Sequence, residues 1–489
     1  MAKRYLLVPE DFVNHLCKTI PGFKLVNRPH QCELARMMWD GSTKRRQHQH
    51  FDGAMSFHYV ELAASFGENR LGADTGFDPI NARLKMFDVT PNYSKDDGYT
   101  RGYWFTELAG KARDAYLDKF WAKDSRLLMM SGKASKTLLP AVSSRDMRNN
   151  STNAWKSAGQ MNLVRIDLDK LAMLRKWLKH IRNEWRNGRA PQRSLFTEFG
   201  SLAHVERLYD MTAKVIRMAR TDVAGNGYIA QHYVQAQSGR LYAKSISLQT
   251  APTLIKEAAL DGLWEYDFSN CHFDILRQMA AQYGYTCTAI ADYLVERKEV
   301  ISGKDATRQA IADQAGISKE QAKTCLLALM YGARTSDRLE NSIPEEIGQQ
   351  AARRLYQVAL FRAIHADITR ARKVILKNWK PTPNGLGLAN GFGKAISVKA
   401  TPVQKLAHLT QGVEAKALQT AINLHPNDIV LLQHDGFAAT RKLSIKAIMD
   451  AVEQATGYRL ELEEKRIQPN PDAHFLRNRM QLAKKEIPQ

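Results

Sequence analysis

The stretch "LLQHDGFAAT", residues 431–440, sets the strongest constraint on how this chain can fold. Two short apolar runs flank the tripeptide His434-Asp435-Gly436, and Asp and Gly are favoured turn residues. The pattern predicts two antiparallel strands joined by a tight turn, with an imidazole and a carboxylate at its tip. Alone, Asp435 and Gly436 are explained more simply as turn residues, so a catalytic role requires a partner elsewhere in the chain.

Length and charge narrow the classes of function. The chain has 489 residues, enough for about two to four domains with a large buried core. It carries 71 Lys and Arg against 50 Asp and Glu, a formal net charge of +21. Such an excess favours a polyanionic partner, of which nucleic acid is the commonest. The alternative is a basic but otherwise ordinary globular protein.

The cysteines and the apolar runs indicate the expected environment. Five cysteines show neither paired spacing nor a C-x-x-C pattern, which fits a reducing compartment better than disulfides or a zinc site. No window approaches the roughly eighteen apolar residues of a membrane span, and the start resembles neither a secretory signal nor a transit peptide. We expect the protein to act in the cytoplasm, and in that of a bacterial host if a phage encodes it.

Residues 1 to about 160 form a mixed region with Gly, Asp and Asn punctuation and with basic clusters. Within it, "GSTKRRQHQHF" contains Lys44, Arg45 and Arg46, which suit contact with a polyanion. His48 and His50 in the same stretch suggest a metal site, but histidines in a polar, basic stretch usually belong to a solvated loop.

Residues 167–188 have a clear helical period. The apolar positions are Leu171, Leu174, Trp177, Leu178 and Ile181. Lysines and arginines occupy the other side, so this helix either lines a nucleic-acid channel or covers a core with a solvated basic face. Both interpretations remain open at this point.

After a second helical stretch, short strand patterns alternate with helices. Strands are predicted near residues 228–247 and 263–268, helices at 271–284 and over 305–334, and a helix and a strand follow residue 440. The chain thus begins with predicted helices and continues with strands and helices that alternate around a sheet. This order of elements predicts an α+β fold class.

Asp267, in "LWEYDFSNCHFDIL", is a candidate partner for Asp435. It follows a short apolar and aromatic run that predicts a strand, and a helix is expected soon after it. Two carboxylates in one cleft would suit magnesium, which prefers hard oxygen ligands and keeps sites for substrate phosphates. That chemistry serves phosphoryl or nucleotidyl transfer. For Asp267 alone, a helix N-cap is an equally good explanation.

A third element is the stretch "SKEQAKTCLLALMYGAR". Lys319, Lys323, Leu327 and Tyr331 are spaced four apart and share one side of a helix that ends before Gly332. Two ammonium groups and a phenol on one stripe could hold a triphosphate at one end and a base or sugar at the other. A lysine beside a phosphate can also protonate departing pyrophosphate. The alternative is a solvated helix face.

These segments resemble the ordered motifs of the single-subunit, phage and mitochondrial type of RNA polymerase, a sister family of the family A DNA polymerases. "QSGRLYAKS" resembles the Gly-Arg motif, "DFSNCHFDIL" motif A, Lys323 to Tyr331-Gly332 motif B, and His434-Asp435 motif C. All four occur in the family order, and the resemblance covers roughly residues 165–465.

The resemblance implies an α+β right-hand fold of thumb, palm and fingers, with a helical, basic N-terminal domain. The implied boundaries are 1–160 for the N-terminal domain, 161–230 for a thumb-like helical region, 231–285 for the palm with the Gly-Arg motif and motif A, 286–395 for the fingers, and 396–489 for the palm with motif C and the C-terminal tail.

The resemblance also implies roles for individual residues. Asp267 and Asp435 are expected to bind two Mg²⁺ ions and, with Lys323 and Tyr331, to form the catalytic group. The expected nucleotide-binding residues are Lys319, Lys323, Tyr331, His272 and His434. The residues expected to contact nucleic acid are Arg240, Gly239 and Gly332. Expected partners are a DNA template, an RNA product, nucleoside triphosphates and an accessory protein for template or promoter recognition; no membrane is expected.

The choice between RNA and DNA synthesis rests on a few positions. "GRLYAKS" and "WKPTPNGLGL" are similar to the RNA polymerase branch, which predicts a compact DNA-directed RNA polymerase. His272 stands where DNA polymerases keep a glutamate and RNA polymerases a glycine, Glu414 where the RNA branch often has histidine, and Lys319 where both have arginine. A family A-like DNA polymerase or a primer-synthesising polymerase is the alternative, and a non-catalytic nucleic-acid-binding protein is a third hypothesis.

Overall fold

The structure is a computed structural model that describes residues 5–41, 54–57, 62–63, 66, 76–90, 101–118, 127–131, 161–188, 199–221, 225–244, 246–295 and 304–468. The basic cluster of Lys44, Arg45 and Arg46, and the pair His48 and His50, lie outside the described residues.

The helices, in chain order, are α1 (Glu10–Thr19), α2 (Arg28–Asp40), α3 (Phe77–Leu84), α4 (Glu107–Asp118), α5 (Leu168–Arg186), α6 (Leu202–Met218), α7 (Thr253–Ala259), α8 (Cys271–Ala281), α9 (Thr288–Leu294), α10 (Lys304–Ala315), α11 (Lys319–Met330), α12 (Ser342–Ile347), α13 (Gln349–Leu355), α14 (Ala359–Asn378), α15 (Pro402–Leu424) and α16 (Ile445–Thr456). A 3-10 turn covers Phe23–Leu25.

The strands are β1 (Tyr5–Pro9), β2 (Met55–Ser56), β3 (Phe87–Val89), β4 (Gly102–Phe105), β5 (Leu127–Ser131), β6 (Met161–Ile166), β7 (Arg220–Thr221), β8 (Gly227–Gln235), β9 (Leu241–Lys244), β10 (Trp264–Phe268), β11 (Gly387–Ala389), β12 (Ala395–Ser397), β13 (Ile429–Leu432), β14 (Gly436–Ala439) and β15 (Leu462–Arg466). Helices and strands are mixed along the chain, as the sequence predicted. The arrangement of thumb, palm and fingers stays a prediction.

The chain divides into two compact units. The first comprises Met1–Val234, Ala243–Leu263 and Arg466–Gln489, and the second comprises Gln235–Tyr242 and Trp264–Lys465. All the site residues predicted from the sequence belong to the second unit.

In the first unit, the predicted helix at 167–188 forms as α5. Asp167 caps it, because its carboxylate accepts a hydrogen bond from the Lys170 backbone N–H at 2.9 Å. The five predicted apolar side chains are buried, and α5 packs against α6. The apolar stripe is therefore core, whereas the proposed nucleic-acid contact of the basic face stays a prediction.

In the second unit, a four-stranded sheet has the order β13-β14-β10-β15. The chain leaves β10 and enters α8, which packs against α14 and α15. Tyr266 of β10 is buried and its ring stacks on Phe437 of β14, with ring centroids 5.0 Å apart. This core fixes the end of β10 against the start of β14.

No described helix is both long and apolar enough to cross a membrane.

Candidate active site

The predicted hairpin forms, and its tip carries the two predicted side chains. Strands β13 and β14 pair antiparallel, with Leu432 opposite Phe437. The Gln433 backbone N–H donates to the Gly436 carbonyl at 2.8 Å, which closes a tight turn around His434 and Asp435. Asp435 is thus held at the end of the strand that pairs with β10.

Gly436 is needed for close approach between strands and not for the shape of the turn. It lies opposite Asp267 in the β10–β14 pairing. A Cβ atom at Gly436 would lie 2.3 Å from the Tyr266 carbonyl oxygen and 3.1 Å from Asp267 Oδ1. The missing side chain therefore lets β10 bring Asp267 beside the Asp435 turn.

Asp267 is a strand residue and not a helix cap. It lies within β10, and the Phe268 backbone N–H donates to the Asp435 carbonyl at 2.8 Å. The N-cap of α8 is Asn270, in the left-handed region with φ 45°. The alternative interpretation of Asp267 as an N-cap is therefore wrong, and its carboxylate is free to face Asp435.

The carboxyl groups of Asp267 and Asp435 are in direct contact and share a hydrogen bond. Asp267 keeps solvent contact on one side, but the loss of water around its carboxylate raises its pKa. The negative charges of Asp435, Glu265 and Glu463 add to this, and the pKa reaches about 8. These influences favour the protonated form of Asp267, and a bound cation could take the place of that proton.

This donor set fits magnesium. Among the described residues, no group of three or more His, Cys, Asp or Glu side chains could hold a metal ion by itself. Magnesium is commonly bound through one or two carboxylates together with waters and substrate phosphates, so Asp267 and Asp435 supply what the protein usually contributes. Their repulsion in the absence of a cation is the physical reason for that fit.

A second charged cluster contains Arg240, His272 and Glu414. Glu414 lies on α15 and is 0% exposed. Arg240 Nε donates to Glu414 Oε1 at 2.6 Å, and its Nη2 donates to Oε2. His272 Nε2 lies 2.5 Å from Glu414 Oε2 and 2.6 Å from Arg240 Nη2. The only carboxylate of this cluster is thus shared by a guanidinium and an imidazole.

The other ring nitrogen of His272 is also engaged. The Thr410 hydroxyl donates to the Leu406 carbonyl at 3.2 Å, so its oxygen can accept a bond from His272 Nδ1 at 3.1 Å. Burial alone would raise the pKa of Glu414, but the charges and hydrogen bonds of His272 and Arg240 outweigh it and lower the pKa. Glu414 is therefore ionised and satisfied.

Tyr331 extends this cluster towards solvent. It is the C-cap residue of α11, and Gly332 follows with φ +83°. The Tyr331 hydroxyl lies 3.5 Å from His272 Nε2, and the side chain is 40% exposed. Burial of the phenol raises its pKa, so the hydroxyl stays protonated and can donate.

The predicted stripe on α11 is open to solvent. Lys323 is exposed, Leu327 is 38% exposed, and Lys319 Nζ lies 4.0 Å from Asp305 Oδ2. The opposite side of α11 is buried. Two ammonium groups and the Tyr331 phenol therefore share one accessible face, as the spacing predicted.

His434 lies beside Tyr242, with ring centroids 4.8 Å apart. Burial, and then the charge of Arg240, lower the pKa of His434, so its imidazole is neutral near pH 7. Its Nδ1 atom is buried and has no hydrogen-bond partner among the described residues. The ring is packed, and one nitrogen has capacity for a further bond.

Asn390 is a site-positioning residue that the sequence did not indicate. Its side chain donates to the Ser238 carbonyl at 2.9 Å and to the His408 carbonyl at 3.1 Å. Gly239, with φ +102°, places its Cα so close to Phe392 that a Cβ would lie 2.9 Å from that ring. These contacts fix the turn that carries Arg240. The Asn-Gly dipeptide at 390–391 signals a turn, but nothing local indicates these partners.

Comparison with known proteins gives a partial likeness. No protein-family model matches the chain, and no curated protein matches it. Among solved structures, the chain is similar to the POL domain of Pol1 from M. smegmatis in complex with DNA primer-template and dNTP. The identity is 13%, the match covers 61% of this chain and 66% of that chain, and the TM-score is 0.42. The likeness extends over part of each chain.

Proposed function

We propose that this chain is a template-directed nucleotidyltransferase whose catalytic carboxylates are Asp267 and Asp435. The observation that carries the proposal is the direct contact between these two carboxyl groups at the end of β10, with no cationic side chain among the main influences on Asp267. A like-charge pair at an accessible strand end is costly unless a proton or a cation binds there. Nucleotidyl transfer is one reaction class that uses such a pair, with metal ions bound to it.

Two magnesium ions, held through Asp267 and Asp435, would stabilise the charge on the attacking and leaving oxygens and on the transferring phosphate. The hairpin turn and the close contact at Gly436 hold both carboxylates in a fixed position before substrate arrives. His434 Nδ1 can accept or donate one further bond to a ligand beside this pair.

The exposed face of α11 would bind the incoming nucleoside triphosphate. Lys323 and Lys319 present ammonium groups that suit the phosphates, and Lys323 is a candidate proton donor to pyrophosphate. Tyr331 would face the sugar, with its hydroxyl oriented by His272. Gly239, Arg240 and Gly332 would support the template or hybrid side, and Arg240 would do so through the turn that it anchors.

We propose RNA as the product and a single-stranded or double-stranded DNA as the template. The support is the likeness of "GRLYAKS" and "WKPTPNGLGL" to the RNA polymerase branch. In this proposal residues 231–285 and 396–489 form the palm, 286–395 the fingers and 161–230 the thumb.

One observation favours DNA synthesis as the second candidate. His272 occupies the position of the DNA polymerase glutamate that blocks the 2′-hydroxyl, and both of its ring nitrogens are engaged by protein partners. A buried imidazole whose nitrogens are engaged by Thr410, Glu414 and Tyr331 has none to offer a 2′-hydroxyl. It would therefore act as a steric gate and not as a hydrogen-bond partner.

The experiment is a template-extension assay. Purified protein is incubated with Mg²⁺, a single-stranded DNA template with or without an annealed primer, and labelled ribo- or deoxyribonucleoside triphosphates. We expect products whose sequence follows the template and whose synthesis prefers ribonucleotides. Efficient primer extension with deoxyribonucleotides alone would establish the second candidate.

The matched control is Asp435→Asn, which keeps the size of the side chain and removes its charge. We expect this variant to bind nucleic acid like the wild type and to add no nucleotides. Nucleic-acid binding by the wild type without incorporation under any of these conditions would overturn the proposal and favour a non-catalytic binding protein.

A further inference from the structure

One segment of the second unit has an unusual charge distribution. Between Asp367 and Glu414 the chain carries eight lysines and arginines and no aspartate or glutamate. The segment covers the C-terminal half of α14, the β11–β12 hairpin and the first turns of α15. It has no carboxylates of its own to neutralise these cations.

The lysines of this segment point to solvent. Five of them are exposed: Lys373, Lys377, Lys380, Lys394 and Lys399. The first two lie on the outer side of α14, whose inner side is buried through residues such as Ala371 and Ile375. Among the described residues, none of the five lysines makes an ion pair. We call these five residues the lysine surface.

Several exposed cations elsewhere in the same unit have a carboxylate partner. Lys442 pairs with Glu464 at 2.6 Å, and Lys446 pairs with Asp450 at 2.7 Å. Arg459 pairs with Glu453 at 2.6 Å. The lysine surface differs in that the run of 46 residues that contains it, 368–413, has no aspartate or glutamate. This concentration of positive charge suits a polyanion.

The hairpin adds an apolar feature to the lysine surface. Leu386 is 70% exposed and Val398 is 37% exposed, and the Val398 backbone N–H donates to the Leu386 carbonyl at 3.1 Å. The two side chains therefore lie at neighbouring positions, close in sequence to Lys380 and Lys399. To contact bases of a duplex, these side chains would have to unstack a base step at a cost of a few kcal/mol, whereas an unpaired strand offers exposed bases without that cost.

We propose that the lysine surface, with Leu386 and Val398, binds a single-stranded nucleic acid through its phosphodiester backbone and without sequence preference. The five ammonium groups contact phosphates, and the apolar pair contacts an unpaired base. The proposed polymerase activity makes a template strand the natural occupant, and to that extent the inference rests on the proposed function. Binding itself requires no catalysis and can be measured without nucleotides.

The test uses the full chain and fluorescent DNA of one sequence, either single-stranded or duplex, over a salt series. The first variant combines three substitutions, Lys377→Gln, Lys380→Gln and Lys399→Gln. It should bind the single strand at least about tenfold more weakly than the wild type at low salt. The slope of log K against log salt should fall by about 2, since each phosphate contact on a single strand contributes about 0.7.

The matched control is the triple variant Lys442→Gln/Lys446→Gln/Arg459→Gln. It also removes three positive charges, but from side chains that have carboxylate partners. It should bind within about twofold of the wild type. A loss equal to that of the first variant would show that net charge alone matters and would overturn the proposal. Replacing Lys377, Lys380 and Lys399 by Arg should keep both affinity and slope.

A further variant tests the single-strand preference. Leu386→Ser should reduce the ratio of single-strand to duplex affinity severalfold and leave the salt slope unchanged. If the wild type bound duplex and single-stranded DNA with equal affinity, the proposal that the lysine surface binds a single strand would be overturned. If Asp435→Asn binds like the wild type and the wild type makes no product, the proposed function fails while the lysine surface stands.

Discussion

A buried and a solvent-exposed charged cluster lie within one unit of this molecule, and they are built on opposite principles. In the first, Glu414 is shared by Arg240 and His272, so its charge has more than enough compensation. In the second, Asp267 and Asp435 contact each other, and the strongest influences on Asp267 all disfavour its charge. The first cluster is complete within the protein, whereas in the proposed function a cation completes the second.

This difference suits the two clusters to different roles: the first positions neighbouring residues, and the second is the candidate for the chemistry. A satisfied ionic cluster orients its neighbours, here the turn of Arg240 and the hydroxyl of Tyr331. In the proposed function, the carboxylate pair is the group that binds the cation and carries the chemistry. Substitutions in the two clusters should therefore have opposite consequences for stability and for activity.

The largest expected effect is on catalysis at the unsatisfied pair. Asp267→Asn or Asp435→Asn should reduce nucleotide addition by at least about 10³-fold, because either change removes a charged ligand that an amide replaces poorly. Rates of primer or template extension at saturating Mg²⁺ would measure this. Activity within tenfold of the wild type in either variant would contradict the assignment of these carboxylates.

The next effect is a change in the free energy of unfolding, and its sign differs between substitutions in the two clusters. Glu414→Gln should lower the free energy of unfolding by about 3–5 kcal/mol, because it leaves the buried Arg240 guanidinium without its carboxylate. Above about pH 8, where Asp267 has lost its proton, Asp435→Asn should leave stability unchanged or raise it, since it removes repulsion. Urea unfolding would measure both changes.

The control for the second prediction is Glu453→Gln, which breaks the exposed pair with Arg459 and should cost less than about 1 kcal/mol. Equal losses in Glu414→Gln and Asp435→Asn would remove the distinction between the clusters.

A smaller effect is a dependence of stability on pH. The pKa of Asp267 is about 8 in the folded protein, against 3.8 for an ordinary aspartate. The folded state therefore binds more protons between these values, so the free energy of unfolding should fall as pH rises from about 4 to about 8. Because Asp267 keeps solvent contact, we expect a fall of about 1 kcal/mol.

The measurement for the third prediction compares the wild type with Asp267→Asn at pH 5 and pH 8. The wild type should lose more stability than the variant, and millimolar Mg²⁺ should reduce the loss because the cation replaces the proton. Identical pH dependence in the two proteins would show that this carboxyl is not perturbed.

The smallest expected effect is on sugar choice at the satisfied cluster. Tyr331→Phe should reduce the preference for ribonucleotides by about fivefold, since a hydroxyl hydrogen bond contributes about 1 kcal/mol. His272→Ala should shift the same ratio, because it removes the ring that orients the Tyr331 hydroxyl. Incorporation ratios with mixed nucleotides would measure both, and unchanged ratios would show that this cluster has no part in sugar choice.

The parts of the site that could be predicted from the sequence are those fixed by local pattern. The hairpin around His434 and Asp435 follows from two apolar runs and a turn, and the exposed stripe of α11 follows from a spacing of four. The strand position of Asp267 follows from the aromatic run before it. Each of these depends on neighbours within about ten residues.

The satisfied cluster could not be predicted, because its members are far apart along the chain. Arg240 and Glu414 are separated by 174 residues, and His272 and Glu414 by 142. Glu414, in a helix that also carries lysines, has the sequence pattern of a solvated residue. The sequence pattern indicates a turn former at Gly436, whereas its role is the close contact with β10, which only the fold reveals.

The order of strands in the sheet has a consequence for how the protein is made. β10 lies between β14 and β15, and the contact of Gln433 with Glu265 joins residues 168 positions apart. A ribosome adding about 5–20 residues per second needs roughly 10–30 s to cover that interval. During this time β10 has both edges open to pairing with other chains. The yield of active protein should therefore depend on the speed of translation and on chaperones that bind β10 before β14 and β15 have been synthesised.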